Sequence, residues 1–261
     1  MKSFNFKSAA NTKEAMKMAS GRATFLAGGM TLLPAIKLRL AAYSDLIKIK
    51  KIKGLSGIKV SSKSLRIGAT TTHAEVASSK EVGKSISSLA VLADGIGDPQ
   101  VRNRGTIGGS IANNDPAADY PSACLALNAT IHTSKRKIPA NKFFKGMFET
   151  DLKKGELIES VEFEVPEKSA YAKFPNPASR YAIVGVYVAK LKKEVRVAVT
   201  GVESFVFRCK KLEDALTNNF SPSVIDNITI SSKGFNSDIH ASAEYRAHII
   251  KVMTKKAVSS C

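Results

Sequence analysis

The sequence predicts an α+β fold, and three observations carry the prediction. The chain has 261 residues, enough for one large domain or two to three small ones with cores of their own. Apolar residues make up 44% and charged residues 24%, the composition of an ordinary folded protein. Strand-like and helix-like segments follow one another without regular alternation, which fits α+β better than a doubly wound parallel sheet.

The first segment, residues 1–53, opens with Phe4-Asn5-Phe6 as a short strand. Asn11 and Glu14 have capping-box spacing and predict a helix over 12–20, ended by Gly21. Residues 23–27 read as a strand running into Gly28-Gly29. A helix over 32–40 follows, with Pro34 in its first turn, and then a strand over 45–49.

The second segment covers residues 54–166. Ile58-Lys59-Val60 and Leu65-Arg66-Ile67 alternate and predict a hairpin turned by 61–64. Thr72 and Glu75 form another capping box, so a helix starts at His73. Residues 86–94 predict a helix. Residues 98–119 are rich in glycine, asparagine and aspartate and read as a long functional loop. A helix over 121–127 and a strand over 157–165, closed by Pro166, complete the segment.

Residues 167–261 form the third segment. Residues 182–189 and 194–200 read as two strands of a meander. Residues 212–216 look helical. Ala243, Ala247, Ile250 and Met253 recur at helical spacing within a predicted helix over 241–253.

Lysine and arginine total 40 against 22 acidic residues, a net charge of +18. The basic residues occur in short scattered runs and tryptophan is absent. No zinc-finger or aromatic RNA-binding motif accompanies them, so a solvated basic surface or an acidic partner is expected rather than nucleic acid. No stretch approaches the ~18 apolar residues of a membrane span, and residues 1–7 lack a signal-peptide core. A cytoplasmic location is the resulting expectation. The three cysteines, Cys124, Cys209 and Cys261, have no CxxC neighbour, which argues against a zinc or iron–sulfur site built from this chain. Cys124, in an apolar run, reads as a buried hydrophobe, and Cys261 as exposed.

Two motifs carry chemistry. In Leu26-Ala27-Gly28-Gly29-Met30-Thr31-Leu32-Leu33-Pro34, paired glycines after a strand permit a sharp turn and close approach to a ligand. Free N–H groups in such a turn make a nest for phosphate; a plain strand-to-helix turn is the alternative. In residues 106–119, glycine backbone donors, the hydroxyls of Thr106 and Ser110, the amides of Asn113 and Asn114, and the carboxylate of Asp119 suit a pyrophosphate and a polyol; an ordered surface loop is the alternative. Neither GxGxxG nor GxxxxGK[ST] is present, so a Rossmann site or P-loop is not supported. His73 and His132 read as structural, and His240 and His248 as solvated or capping.

Together with the first motif, the runs Ile67-Gly68-Ala69-Thr70-Thr71-Thr72-His73-Ala74-Glu75 and Asp98-Pro99-Gln100-Val101-Arg102-Asn103-Arg104-Gly105-Thr106-Ile107-Gly108-Gly109-Ser110 resemble the FAD-binding medium subunit of molybdenum hydroxylases. That family includes carbon monoxide dehydrogenase, xanthine dehydrogenase and aldehyde oxidoreductases. The weaker runs 177–182 and 238–246 extend the resemblance over nearly the whole chain.

The resemblance implies an FAD-binding fold of the vanillyl-alcohol-oxidase type in two subdomains, 1–53 and 54–166. A small α+β C-terminal domain, 167–261, follows. It implies that the turn opening at Leu26, through Ala27, Gly28, Gly29, Met30, Thr31 and Leu32, holds the FAD pyrophosphate. Gly105, Thr106, Gly108, Gly109 and Ser110 would contact FAD as well, with Asp119 as polar anchor. Ile96 and Val101 would lie near the flavin, and Tyr181 close to the isoalloxazine. Met30 stands where many relatives carry a polar residue; this keeps the backbone donors and loses one side-chain hydrogen bond.

The family's activity is electron relay. Substrate is oxidised at a molybdopterin-binding large subunit, and electrons pass through [2Fe–2S] clusters of a small subunit to FAD and on to an external acceptor. No acid or base for substrate turnover stands out in this chain, so its catalytic residue set is empty and the redox chemistry belongs to the cofactor. A stand-alone flavoprotein oxidoreductase and a basic nucleic-acid-binding module are the alternatives.

Overall fold

A computed structural model describes residues 2–261. The chain starts with β1 (Asn5–Ser8), α1 (Thr12–Met18), β2 (Ala23–Leu26), α2 (Leu32–Lys37) and β3 (Asp45–Lys48). The three strands form a parallel sheet in the order β1-β3-β2. Helical crossovers enforce the parallel arrangement. Asn11 caps α1 by accepting from the Glu14 N–H at 2.9 Å, while the Glu14 carboxylate takes the Ala10 N–H at 2.6 Å. Helix α1 stops two residues short of the predicted end, and Gly21 then takes φ +58° in the turn to β2. Ala15, Ile47, Ile49, Ile52 and Leu55 make the small core of this unit, with Leu157 contributed from further along the chain.

The second unit begins with β4 (Ile58–Val60) and β5 (Ser64–Gly68), the predicted hairpin. Five helices come next: α3 (His73–Ser78), α4 (Lys80–Ser85), α5 (Ser87–Asp94), α6 (Pro99–Arg102) and α7 (Ile107–Asn113). They lead into α8 (Tyr120–Ala126), β6 (Thr130–Thr133), β7 (Lys137–Pro139), α9 (Ala140–Phe143), the β8 (Phe144–Gly146)–β9 (Glu149–Thr150) hairpin and β10 (Ile158–Glu164). The main sheet runs β4-β5-β10-β6-β7, antiparallel throughout.

One expectation is corrected here. Residues 98–119 are not a continuous loop. Asp98 caps α6 through the Val101 N–H at 2.8 Å, and Thr106 caps α7 through the Gly109 N–H at 3.2 Å. Gly108 and Gly109 weaken α7 intrinsically. The helix forms because it packs: a Cβ on Gly108 would stand 2.5 Å from the Ala69 Cβ, so only glycine allows α7 to sit on the end of β5.

The third unit is an antiparallel meander, β11 (Lys168–Pro175), β12 (Ala182–Lys190), β13 (Val195–Thr200) and β14 (Phe207–Arg208), in that order. Helix α10 (Lys210–Asn218), a 3-10 turn at Pro222–Asn227 and α11 (Ala243–Ser259) cover one face. The other face joins the core of the second unit through Tyr187, Ala189, Ala198 and Val206. Strand β12, covered on both faces, is therefore apolar and buried along nearly its whole length rather than alternating. The Tyr187 hydroxyl and Ser88 Oγ, 2.6 Å apart, join the two units inside this shared core. Cys124 is fully buried, as expected, whereas Cys261 is half-buried against the apolar packing of α11 and not simply exposed.

Candidate functional site

A cavity of about 590 Å³ opens where the three units meet. That volume lies within the range of small-molecule sites. Its walls include the turn after β2, the start of α7, the Ile96–Gly97 turn after α5, Asp119 and Tyr181. The cofactor residues implied by the resemblance, from Leu26–Leu32 through Ile96, Val101, Gly105, Thr106, Gly108–Ser110 and Asp119 to Tyr181, all line this one cavity, as does Asn113. Asn114 does not, being fully buried with its side-chain amide donating to Gly146 O and Glu149 O at 2.8 Å.

The turn after β2 has free donors. Gly29 takes φ +78°, the left-handed backbone from which anion-binding nests are built. The N–H groups of residues 27–32 donate to no acceptor among the described residues. Two of the carbonyls are used, Gly29 accepting from Leu33 and Thr31 from Ala35. A run of unpaired amides beside a cavity costs free energy unless a ligand or water fills the bonds. Gly28 is also needed for close packing. A Cβ there would overlap the carbonyl oxygen of Arg104, so the two cavity walls touch backbone to backbone.

The second segment differs from its sequence reading. Its amides are mostly spent on the fold: Gly105 N–H donates to Val101 O at 2.7 Å, Ile107 to Thr71 O at 3.1 Å and Gly108 to Ala69 O at 2.8 Å. Gly109 N–H is held by the Thr106 cap. The segment is a close-fitting wall rather than a second nest. What it leaves toward the cavity is the exposed Cα of Gly109 and the Ser110 hydroxyl, which has no partner among the described residues.

Charge is arranged around the far wall. Asp119 is 4% exposed, and its Oδ1 accepts from the Tyr171 hydroxyl and lies 3.0 Å from Lys173 Nζ. Burial pushes the Asp119 carboxyl up, against the opposing pull of Lys173 and Tyr171. Lys173 Nζ also donates to Gly95 O at 2.7 Å. Arg102 donates to Ile96 O and Gly97 O at 3.2 and 3.1 Å, and Arg180 to Gly97 O at 3.2 Å. Tyr181 is half-exposed, with its hydroxyl pushed up by burial and by Asp115 and Asp119.

His73, read as structural, does buttress the fold, and it also lines the cavity. Its main-chain N–H donates to Gly105 O at 3.0 Å, and Gly105 leaves no room for a Cβ because the His73 imidazole Nε2 would be 2.6 Å away. Burial lowers its pKa to about 4, so the ring is neutral. Ala69, Arg180 and Leu157 also line the cavity and were missed in the sequence. The IGATTTH and PASRYA runs contain two of them; nothing marked Leu157, which lines the site from the residue just before β10.

Comparison with known proteins decides the assignment. The family model described as "FAD binding domain in molybdopterin dehydrogenase" matches residues 2–167, and that of the "CO dehydrogenase flavoprotein C-terminal domain" matches residues 169–261. The chain belongs to this flavoprotein family. It is 36% identical to the glyceraldehyde dehydrogenase medium chain of Sulfolobus acidocaldarius, over 97% of this chain and 96% of that protein. It is 33% identical to the carbon monoxide dehydrogenase medium chain of Hydrogenophaga pseudoflava, over 91% and 88%. Among solved structures, carbon monoxide dehydrogenase from Hydrogenophaga pseudoflava lacking its Mo-pyranopterin moiety matches with TM-score 0.88 and 30% identity, covering 99% of this chain and 96% of that one. Reconstituted carbon monoxide dehydrogenase from Oligotropha carboxidovorans matches with TM-score 0.91 and 26% identity, covering 99% and 97%.

FAD is thus the cofactor, and the chain is an FAD-dependent oxidoreductase subunit of the molybdenum-hydroxylase medium type with an α+β fold. The residues present fit that group. Unpaired amides suit a pyrophosphate, and Gly28, Gly105 and Gly108 let the walls around it pack more closely than any side chain would allow. No helix among the described residues is long and apolar enough to cross a membrane.

Proposed function

We propose that the chain holds FAD in this cavity and carries electrons from [2Fe–2S] clusters of a small partner subunit to an external acceptor. Substrate is oxidised at a molybdopterin-binding large subunit of the same assembly. The medium-chain relatives support this division of labour. The assembly would reside in the cytoplasm.

FAD, when bound, supplies the redox centre; the chain's own residues bind and orient it. The amides of residues 27–32 meet the pyrophosphate, and Gly109 and Ser110 face it from α7. Asp119 accepts from polyol hydroxyls, while Ile96, Val101 and Tyr181 border the flavin ring. The observation that carries this reading is the six-residue run of unpaired amides, Ala27 to Leu32, lining a cavity of about 590 Å³.

The test is reconstitution. FAD-loaded chain mixed with candidate iron–sulfur and molybdopterin partners, and given the substrate of the assembly, should show flavin reduction only when all three are present. Flavin reduction by substrate with this chain alone would instead support the stand-alone oxidoreductase.

A further inference from the structure

We infer that Lys173 is a positioning residue for the cofactor site, one ammonium joining the Asp119 carboxylate to the Gly95 carbonyl and so fixing two walls of the cavity from the third unit. The inference rests on the FAD reading above and deepens it.

The geometry is specific. Tyr171 and Lys173 are two apart on β11 and therefore share a face. Both reach across the boundary between units to the same oxygen, Asp119 Oδ1. The ion pair is secluded, with Lys173 and Asp119 side chains 9% and 5% exposed. The second Lys173 contact, 2.7 Å to Gly95 O, holds the turn that presents Ile96 and Gly97 to the cavity. Gly185 makes room on the neighbouring strand: a Cβ there would overlap the Tyr171 hydroxyl.

The physical role follows. A carboxylate this buried stays charged only with a counter-charge and donors beside it. Lys173 supplies the charge and Tyr171 a second donor, so Asp119 is kept as an acceptor for ligand hydroxyls. Other titratable groups facing it are Tyr181 from the loop before β12, Tyr120 on its own helix, and Asp115 from the preceding turn. Neither tyrosine is a cation, and Asp115 would oppose the charge. Lys173 is therefore the group on which the carboxylate's charge depends.

The experiment measures FAD affinity of the full-length apo chain from pH 6 to pH 8.5. The wild type should bind with little pH dependence. Lys173→Met should bind about tenfold or more weakly at pH 6 and recover as pH rises, because burial then pushes the Asp119 carboxyl further up without the opposing pull of Lys173. Lys173→Arg should restore the flat profile. Should Lys173→Met fold poorly, the paired variant Asp119→Asn/Lys173→Met removes both charges and should fold. It should still bind FAD weakly, without pH dependence. Wild-type affinity with a flat profile in Lys173→Met, or wild-type affinity in the paired variant, overturns the inference alone. A wild-type chain that binds no FAD overturns the underlying reading and this inference with it.

Discussion

Gly28 and Arg104 meet backbone to backbone: the space a Cβ would take on Gly28 is filled by the carbonyl oxygen of Arg104. This contact locks the turn after β2 against the segment leading into α7, and it fixes the width of the cavity between them. Gly28→Ala should push the two walls apart, lowering stability by about 1–3 kcal/mol and weakening FAD retention together. Chemical denaturation and flavin content of the same preparation measure both losses.

Gly109 should separate those two effects. Its Cα faces the cavity, and an added Cβ would meet only Thr106 Oγ1 at 3.0 Å. Gly109→Leu therefore fills the cofactor's space while the chain keeps its fold. Gly108→Leu, pressed against Ala69, should fail to fold. Circular dichroism with flavin absorbance distinguishes the pair, and full FAD occupancy in Gly109→Leu would contradict the site.

His73 predicts an acid-side loss of stability. An unfolded histidine titrates near 6.5. In the folded chain burial holds His73 at about 4. Between these values the unfolded state takes up a proton that the folded state does not. Stability is thus full above about pH 6.5 and falls toward pH 4, by on the order of 3 kcal/mol. His73→Gln should flatten this slope in urea melts across that window; an unchanged slope would contradict it.

Arg246 should be the main polar support of the third unit. It is 3% exposed, donates to Ile183 O and Gly201 O at 2.6 and 2.8 Å, and pairs with Asp238 at 2.7 Å. Arg246→Met leaves two carbonyls without this donor and should cost about 2–4 kcal/mol. Thermal unfolding of the apo chain measures it, and a loss within error would show that water replaces the guanidinium.

Local signals made much of this fold legible. The Thr72/Glu75 box forms as spaced, with Glu75 N–H to Thr72 Oγ1 at 3.2 Å and Thr72 N–H to Glu75 Oε2 at 2.7 Å. The glycine turn was equally plain, because φ > 0 and close approach both demand glycine. Less legible was α7, whose glycines argue against a helix until Ala69 is placed beside Gly108. Strand β11 was missed because its inward positions are the small residues Ala170 and Ala172, a weak alternation signal. Lys173 carries no local mark at all: its partners Asp119 and Gly95 lie 54 and 78 residues away in the chain.

The most direct test of the whole account is an FAD titration of the isolated full-length apo chain, followed by flavin fluorescence and thermal unfolding. Saturation at one FAD per chain with a rise in melting temperature is the expected result. A chain that stays colourless in excess FAD, with no thermal shift, would contradict the assignment of the Ala27–Leu32 amides to a flavin dinucleotide.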